Sequence, residues 1–276
     1  MNFEREQFEH DGLKLDKNRV LTYSQLSCPF NCRYCFVEDM NYNQKRKVSY
    51  LSEKQFELIE HLPEEINLIM LGCDTEFFQS RANSLTILER LASVEKDLSV
   101  ITKLPLAPEF IDNLKKVDEK LRAHKNFLTF SVSIPCLDSA KVWEPRVPDP
   151  QKRIQTLKYA HDSGIKTLLA LRPLLPTLPD SEIEGIVKLT RGHVDGYYSG
   201  PLYLKELDEE LVPTDLRKDL KIEKLQPHWM PEGNVFYKIE KEGQMDHLRE
   251  VLHGSNDHLF DGAAEAIDFL KKHEEY

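Results

Sequence analysis

Three of the five cysteines in this 276-residue chain lie within eight residues of one another. Cys28, Cys32 and Cys35 follow the spacing C-x3-C-x2-C, and that segment contains no further cysteine. Thiolates at this spacing can hold one face of an iron–sulfur cube, and three protein ligands leave one iron open to another ligand. An open iron is typical of a catalytic centre and is not needed for electron transfer alone. Zinc is the competing metal, but structural zinc normally takes four ligands in two pairs, and the second pair is missing.

The elements that must position this loop are predicted from short apolar runs that alternate with amphipathic stretches. Strands are predicted at residues 19–26, 66–72, 98–103, 127–134, 166–172 and 194–204. Helices are predicted between them at residues 52–62, 84–96, 107–124, 149–163 and 180–193. Such strand–helix repeats build parallel sheets with right-handed crossovers. Six units are fewer than the eight of a closed barrel, so the sequence predicts an α/β fold in the form of a partial (β/α)6 barrel.

The last part of the chain departs from this rhythm. Residues 206–243 are charged and contain prolines, and a short helix is predicted near residues 215–225. Two further helices are predicted at residues 246–253 and 262–274. We therefore expect three parts, which are an N-terminal extension at 1–17, the barrel at 18–205 and a mainly helical C-terminal extension packed on the barrel at 206–276.

The net charge and the hydropathy of the chain bear on whether nucleic acid or a membrane is a partner. The formal net charge of −10 disfavours a broad phosphate-binding surface. The basic stretches Lys45-Arg46-Lys47 and Lys152-Arg153 are interpreted as solvated surface charge. No apolar run approaches the ~20 residues of a membrane helix, and the acidic segment 1–16 lacks the apolar core of a secretory signal. We expect a soluble, cytoplasmic protein with no membrane partner.

The cysteine loop has the form C-x3-C-x-aromatic-C after a predicted strand, and it resembles the signature of the radical S-adenosylmethionine superfamily. Later segments, among them GCDTEFFQ at residues 72–79 and RPLLP at residues 172–176, are similar to the spore photoproduct lyase-like branch. The resemblance implies a 4Fe–4S cluster held by the three cysteines, with S-adenosylmethionine on the open iron. Reductive cleavage then gives methionine and a 5′-deoxyadenosyl radical that abstracts a hydrogen atom, so the cofactor supplies the chemistry.

The resemblance also implies roles for side chains that follow the strands. Tyr34 would lie near the adenine, and Lys103 would pair with the methionyl carboxylate. Gly72 and Thr75 would meet the methionyl amino group. Ser131 or Ser133, which share one face of a strand, would hydrogen-bond the ribose. Arg153 is a weaker candidate for a contact with the cosubstrate, and it would pair with Glu144.

Cys73 would be the catalytic hydrogen donor to a product radical, since it lies just past the second strand, where spore photoproduct lyases have a donor cysteine. The alternative for Cys73 is a small buried hydrophobic residue, and for Cys136 that alternative is favoured. Arg172, at the end of the fifth strand, would clamp a carboxylate or phosphate or point to solvent.

The direction in which each tyrosine of the sixth predicted strand points depends on its position, because successive side chains of a strand alternate between the two faces. Tyr197 and Tyr203 share one face and Tyr198 takes the other, and the inward set would line a substrate pocket unless it serves only core packing. The histidines show no ligand spacing.

Three functions remain open at this point. The first is a radical enzyme that acts on a nucleobase or nucleotide, which Cys73 and the branch resemblance favour. The second is radical modification of a peptide, protein or small metabolite, which the acidic balance favours. The third is a non-catalytic iron–sulfur redox sensor. Either enzyme would need an electron donor such as flavodoxin or ferredoxin, and the choice between lyase and transferase stays open.

Overall fold

A mostly parallel sheet of eight strands forms the centre of the computed structural model, which describes residues 4–23, 28–37, 50–230, 232–253 and 257–274. The strands of the chain are β1 Leu13–Asp16, β2 Arg19–Thr22, β3 Leu68–Leu71, β4 Asp97–Thr102, β5 Leu128–Ser133, β6 Lys166–Leu171, β7 Gly196–Ser199, β8 Leu202–Leu204, β9 Leu220–Leu225, β10 Phe236–Lys241 and β11 Leu259–Phe260. The large sheet has the order β1-β2-β3-β4-β5-β6-β7-β11, and β1 alone runs antiparallel to its neighbour.

Helices connect the parallel strands, as the strand–helix repeat predicts. The helices of the described residues are α1 Arg5–His10, α2 Glu53–Glu60, α3 Arg81–Leu91, α4 Pro108–Arg122, α5 Ala140–Trp143, α6 Pro150–Asp162, α7 Asp180–Thr190, α8 Gln244–His253 and α9 Ala263–Lys272, of which α1 precedes the first strand and α9 follows the last. Ser52 caps α2 by accepting a hydrogen bond from the Gln55 amide at 3.2 Å. Gly164 follows α6 with a positive φ of 89°. No helix among the described residues is long and apolar enough to cross a membrane.

The two faces of the sheet have different coverings. The face that carries Ile69, Val100 and Phe130 shares one apolar cluster with residues of the connecting helices. The opposite face, with Leu168 and Tyr198, packs against α9. α9 therefore fills the interior of the partial barrel.

The far end of α9 is held at the amino ends of the strands. Lys271 donates to Asp97 Oδ2 at 2.6 Å and to Asn126 Oδ1 at 3.0 Å, and Asn18 donates to Asp268 Oδ1 at 3.2 Å. These contacts of α9 lie at the amino ends of the strands, so a ligand-binding site would lie at the opposite, carboxyl ends.

The partial barrel is confirmed, but two details of the predicted elements are wrong. The strand predicted over 194–204 is two strands, because Pro201, which has no N–H for a ladder, separates β7 from β8. β8 joins β10 and β9 in a second, antiparallel sheet. The helix predicted near 215–225 is a 3-10 turn at Arg217–Asp219 followed by β9. The alternation of Leu220, Lys221 and Ile222 is the period-two pattern of a strand.

Some predictions fall outside the described residues. These are the end of the first predicted strand at 24–26 and the basic stretch Lys45-Arg46-Lys47. The boundaries of the three predicted parts stay predictions.

Candidate active site

The candidate site residues come together at the carboxyl ends of the strands. The cysteine loop follows β2, Gly72–Thr75 follow β3, Lys103 follows β4, and Ser133 ends β5. Since β2 to β5 are parallel neighbours, these ends lie along one edge of the sheet. In open α/β sheets this edge is the usual place for ligands.

Lys103 is the centre of a hydrogen-bonded group at this edge. Its Nζ donates to Tyr34 Oη at 2.7 Å, to Ser133 Oγ at 2.7 Å and to Glu144 Oε1 at 2.6 Å. The Tyr34 hydroxyl also donates to Glu144 Oε1. The structure thus joins the cysteine loop, through Tyr34, to the ends of β4 and β5.

Glu144 and Arg153 form the predicted buried pair. The Arg153 Nη2–Glu144 Oε2 distance is 2.7 Å, and both side chains are fully buried. Arg153 also donates to the Ser133 carbonyl at 2.6 Å. Burial would raise the pKa of Glu144, but the charges of Lys103 and Arg153 outweigh it and hold the pKa below its usual value. The interpretation of Arg153 as solvated surface charge is therefore wrong, whereas Lys152 is exposed.

The cysteine loop presents three thiols that form no disulfide among the described residues. Cys28 and Cys35 are exposed, and Cys32 is partly buried. The Cys35 amide donates to the Cys32 carbonyl at 3.0 Å. The neighbouring Arg33 holds the loop in place, because its amide donates to the Trp143 carbonyl and its guanidinium is paired with carboxylates of the C-terminal extension. Sulfur ligands of this kind fit an iron–sulfur cluster.

Gly72 makes a turn that no other residue fits without strain. Its φ is +84°, and a Cβ there would lie 2.8 Å from the Ile101 carbonyl oxygen. Its amide donates to Tyr50 Oη at 2.6 Å. The backbone after β3 therefore lies directly against β4.

Glu76 is a structural residue of the site to which the sequence assigned no role. Its carboxylate accepts from the Thr102 hydroxyl at 2.8 Å, and from the amides of Phe78 at 3.0 Å and Lys103 at 2.8 Å. The predicted site residue Thr75 is buried beside it and accepts from Gln79 Nε2 at 2.8 Å. Glu76 thus ties the loop after β3 to the end of β4 and sets the path of Lys103. The one signal for it in the sequence is an acidic residue directly before the apolar pair Phe77 and Phe78.

Cys73 is partly buried beside this turn. It packs against an apolar cluster that contains Tyr23, Met230 and Phe236. Burial raises the pKa of the Cys73 thiol to about 12, so the sulfur keeps its hydrogen at neutral pH. Cys136 is fully buried in a different apolar cluster, as the structural alternative predicts.

Ser131 lies deeper in the barrel than Ser133. Its hydroxyl is buried, and among the described residues it has no partner in hydrogen-bonding geometry. Tyr198 faces the same interior, where burial raises its pKa to about 12. Tyr197 points the other way and lies 3.1 Å from the Thr190 hydroxyl of α7. Tyr198 is therefore the inward-facing tyrosine of the strand.

Arg172 lies past the end of β6, at the same edge of the sheet. Its side chain is exposed and runs over Gly200, where a Cβ would lie 3.2 Å from Nε. Within the part of the chain that the structure describes, the Arg172 side chain has no hydrogen bond or ion pair. Tyr203, predicted to share a strand with Tyr197, lies on β8 and contacts Trp229.

The family model described as the radical SAM superfamily matches residues 23–190, which is more than half of the chain. The protein belongs to the radical SAM superfamily, and it is a radical SAM enzyme. A 4Fe–4S cluster and S-adenosylmethionine are the cofactors of this superfamily.

Comparisons with individual proteins agree with this fold. An uncharacterized protein of Methanocaldococcus jannaschii, MJ0683, is 25% identical over 198 residues, which are 70% of this chain and 73% of that protein. Spore photoproduct lyase complexed with dinucleoside spore photoproduct superposes with a TM-score of 0.61 at 13% identity, over 85% of this chain and 74% of the lyase. Streptococcus suis SuiB bound to precursor peptide SuiA gives a TM-score of 0.52 at 13% identity, over 70% and 41%.

Proposed function

We propose that Cys28, Cys32 and Cys35 hold a 4Fe–4S cluster and that the enzyme abstracts a hydrogen atom from a nucleobase or nucleotide. The observation that carries the proposal is the group of Tyr34 and Lys103 with its oxygen partners, directly against the cysteine loop. When bound, the cluster supplies the electron that splits S-adenosylmethionine into methionine and a 5′-deoxyadenosyl radical.

Lys103 would bind the methionyl carboxylate. An ammonium group has three N–H donors, and Tyr34, Ser133 and Glu144 accept all three. A carboxylate would replace one of the two neutral hydroxyls, because charge-assisted hydrogen bonds are the stronger ones. Glu144 would keep its bond and hold the ammonium in place.

Ser133 is the better of the two serines for the ribose. Its oxygen accepts from Lys103, so its own proton remains free for a sugar hydroxyl. Ser131 would reach a ligand only after the interior opens, because it is fully buried. Arg153 would act as a positioning residue, since it is fully buried behind Glu144 and orients that carboxylate and the Ser133 carbonyl.

Gly72 and Thr75 would receive the amino end of the cosubstrate. The missing Cβ lets the backbone of Gly72 approach a ligand closely. The Thr75 oxygen accepts from Gln79, so its proton remains available.

Cys73 would return a hydrogen atom to the product radical. Its S–H bond breaks homolytically, the product gains the hydrogen atom, and a sulfur radical remains. That sulfur radical recovers a hydrogen atom from 5′-deoxyadenosine, or an electron and a proton from the reductant, for which flavodoxin or ferredoxin is the expected donor. The raised pKa of the thiol serves this role, because a thiolate has no hydrogen atom to give.

Arg172 and Tyr198 favour a nucleotide as the substrate. The Arg172 guanidinium, which has no ion pair among the described residues, would bind a phosphate. Tyr198 is buried like Ser131, so it would contact a base once the interior opens. A peptide, protein or small metabolite is the second candidate, supported by the net charge of −10 and by the fold likeness to SuiB, a protein bound to a precursor peptide. We propose a cytoplasmic enzyme.

The test is anaerobic reconstitution with iron and sulfide, followed by dithionite and S-adenosylmethionine. We expect 5′-deoxyadenosine by mass spectrometry from the wild type and from Cys136→Ala, a matched change at a thiol outside the loop. Cys32→Ala should form none. If cluster-loaded wild type forms none, the cleavage proposal is wrong and the redox-sensor alternative stands.

The donor and the substrate class need separate experiments. Cys73→Ala should still cleave S-adenosylmethionine but give an altered product distribution, and an unchanged distribution would reject the donor role. Binding of duplex DNA measured at low and high salt tests the nucleic-acid form of the substrate, because phosphate contacts weaken steeply with salt. No binding at low salt would leave a free nucleotide or the second candidate.

A further inference from the structure

Two histidines and an aspartate converge at the end of the barrel opposite the cysteine loop. His161 and Asp162 lie at the end of α6, four residues before β6 begins, and His193 follows α7 shortly before β7. One ligand atom of each lies within 4.8 Å of the other two. The group thus stands at the amino ends of β6 and β7.

The imidazole of His193 is poorly satisfied by protein atoms. Its Nδ1 is buried and has no hydrogen-bond partner among the described residues. A carboxylate oxygen, Asp162 Oδ1, lies 3.6 Å from it, and His161 Nδ1 lies 3.5 Å from the same oxygen. Good N–H···O hydrogen bonds are about 2.7–3.2 Å long, so the His193 contact is too long for one and the His161 contact is a weak one. The Thr167 hydroxyl fixes the backbone here by donating to the His193 carbonyl at 3.2 Å.

The two nitrogen–oxygen separations of 3.5 and 3.6 Å are close to those that a tetrahedral metal ion imposes on its ligands. Zinc binds imidazole nitrogen at about 2.0–2.1 Å and carboxylate oxygen at about 2.0–2.2 Å, which places the ligand atoms about 3.3–3.5 Å apart. The two imidazole rings are 87° apart, with centroids separated by 5.7 Å, so they approach from different directions and do not stack. Asp162 is 64% exposed, which leaves room for water as a fourth ligand.

We propose that His161, Asp162 and His193 bind a Zn²⁺ ion. Two imidazoles and one carboxylate are a ligand set that zinc uses in proteins. The ion would connect the end of α6 to the end of α7 and so fix the amino ends of β6 and β7 to each other. Because it lies at the opposite end of the strands from the cysteine loop, this site is independent of the proposed radical chemistry.

The experiment uses cluster-loaded protein, in which the three loop thiols are occupied, and ZnCl₂ as the probe. Isothermal titration and metal analysis after desalting should give one zinc per chain. Zinc X-ray absorption should show nitrogen and oxygen at about 2.0–2.1 Å and no sulfur at about 2.3 Å. A sulfur shell, or no retained zinc, would overturn the proposal.

Variants locate the ion. His193→Ala and Asp162→Asn should each weaken zinc binding at least about tenfold. His10→Ala is the matched control, because His10 also ends a helix and lies 3.7 Å from the following Asp11 but has no second histidine beside it. His193→Ala should form 5′-deoxyadenosine at the wild-type rate, which separates this test from that of the radical site. With EDTA present, the variants should have the same melting temperature as the wild type. Equal zinc affinity in all of them would refute the site.

Discussion

Replacing Glu144 with glutamine tests the centre of the candidate site. The substitution keeps the size of the side chain but removes the charge between Lys103 and Arg153. Lys103 is 16% exposed and can turn partly toward water, whereas Arg153 is fully buried and cannot. Removing one partner of a buried ion pair costs about 3–5 kcal/mol. For a chain of this size that loss lowers the melting temperature by on the order of 10 °C.

Urea unfolding of the cluster-free proteins, followed by circular dichroism, measures this loss. The control is Asp180→Asn, because Asp180 pairs with Lys241 at 2.9 Å while 49% exposed. That exposed pair should change the free energy of unfolding by at most about 0.5–1 kcal/mol. If Glu144→Gln lowered the free energy of unfolding at neutral pH no more than Asp180→Asn does, the buried Glu144–Arg153 pair would not stabilise the fold as proposed.

The pH dependence gives a second check with a definite sign. The pKa of Glu144 is lower in the folded protein than its ordinary value of 4.5, so the folded state favours the ionised form. Its contribution is fully present above the unfolded pKa and is lost as the pH falls through the lower folded pKa. The stability gap between wild type and Glu144→Gln should therefore be constant near pH 7 and shrink below 4.5. A gap that widens in acid would contradict the assignment.

Three further predictions concern neighbouring residues. Gly72→Ala should cost about 1–3 kcal/mol by thermal melting, because it adds a contact with the Ile101 carbonyl to an unfavourable φ; Gly243→Ala, with a φ of +75° and no atom within 4 Å, should cost less. Lys103→Gln should raise the KM for S-adenosylmethionine at least about tenfold, since a charge-assisted bond is lost; an unchanged KM would remove Lys103 from the cosubstrate site. Ser131→Ala should leave the melting temperature unchanged or raise it, because the hydroxyl it removes is buried without a partner.

Strands β2 to β7 were predictable because strands buried on both faces are continuous apolar runs, whereas β1 and β11 at the two edges of the same sheet were not predicted. β9 was not, because its short charged segment fits a helix or a strand until its partner β10 is known. The position of α9 inside the barrel could not be predicted from the sequence either. Its apolar stripe indicates that it packs, but only the structure shows Ala266 and Ile267 inside the barrel against Leu168.

Some residues of the site were predictable from the sequence and others were not. The cysteines are close in sequence, so their spacing alone predicts a metal. Glu76 was missed because it binds Thr102 and the Lys103 amide, 26 and 27 residues further along the chain. His161 and His193 were missed for the same reason, since no local ligand spacing joins residues at the ends of two successive helices.

The positions of Cys73 and Arg172 limit the shape of a substrate that contacts both. Cys73 follows β3 and Arg172 follows β6, three strand spacings apart, or about 14 Å along the sheet and less across a curved one. Tyr198 lies on β7, the strand next to β6, and faces the interior of the barrel. α9 closes the interior below. A single ring would reach one of these groups but not both, so joint contact requires an anionic group on an extended arm, as in a nucleotide.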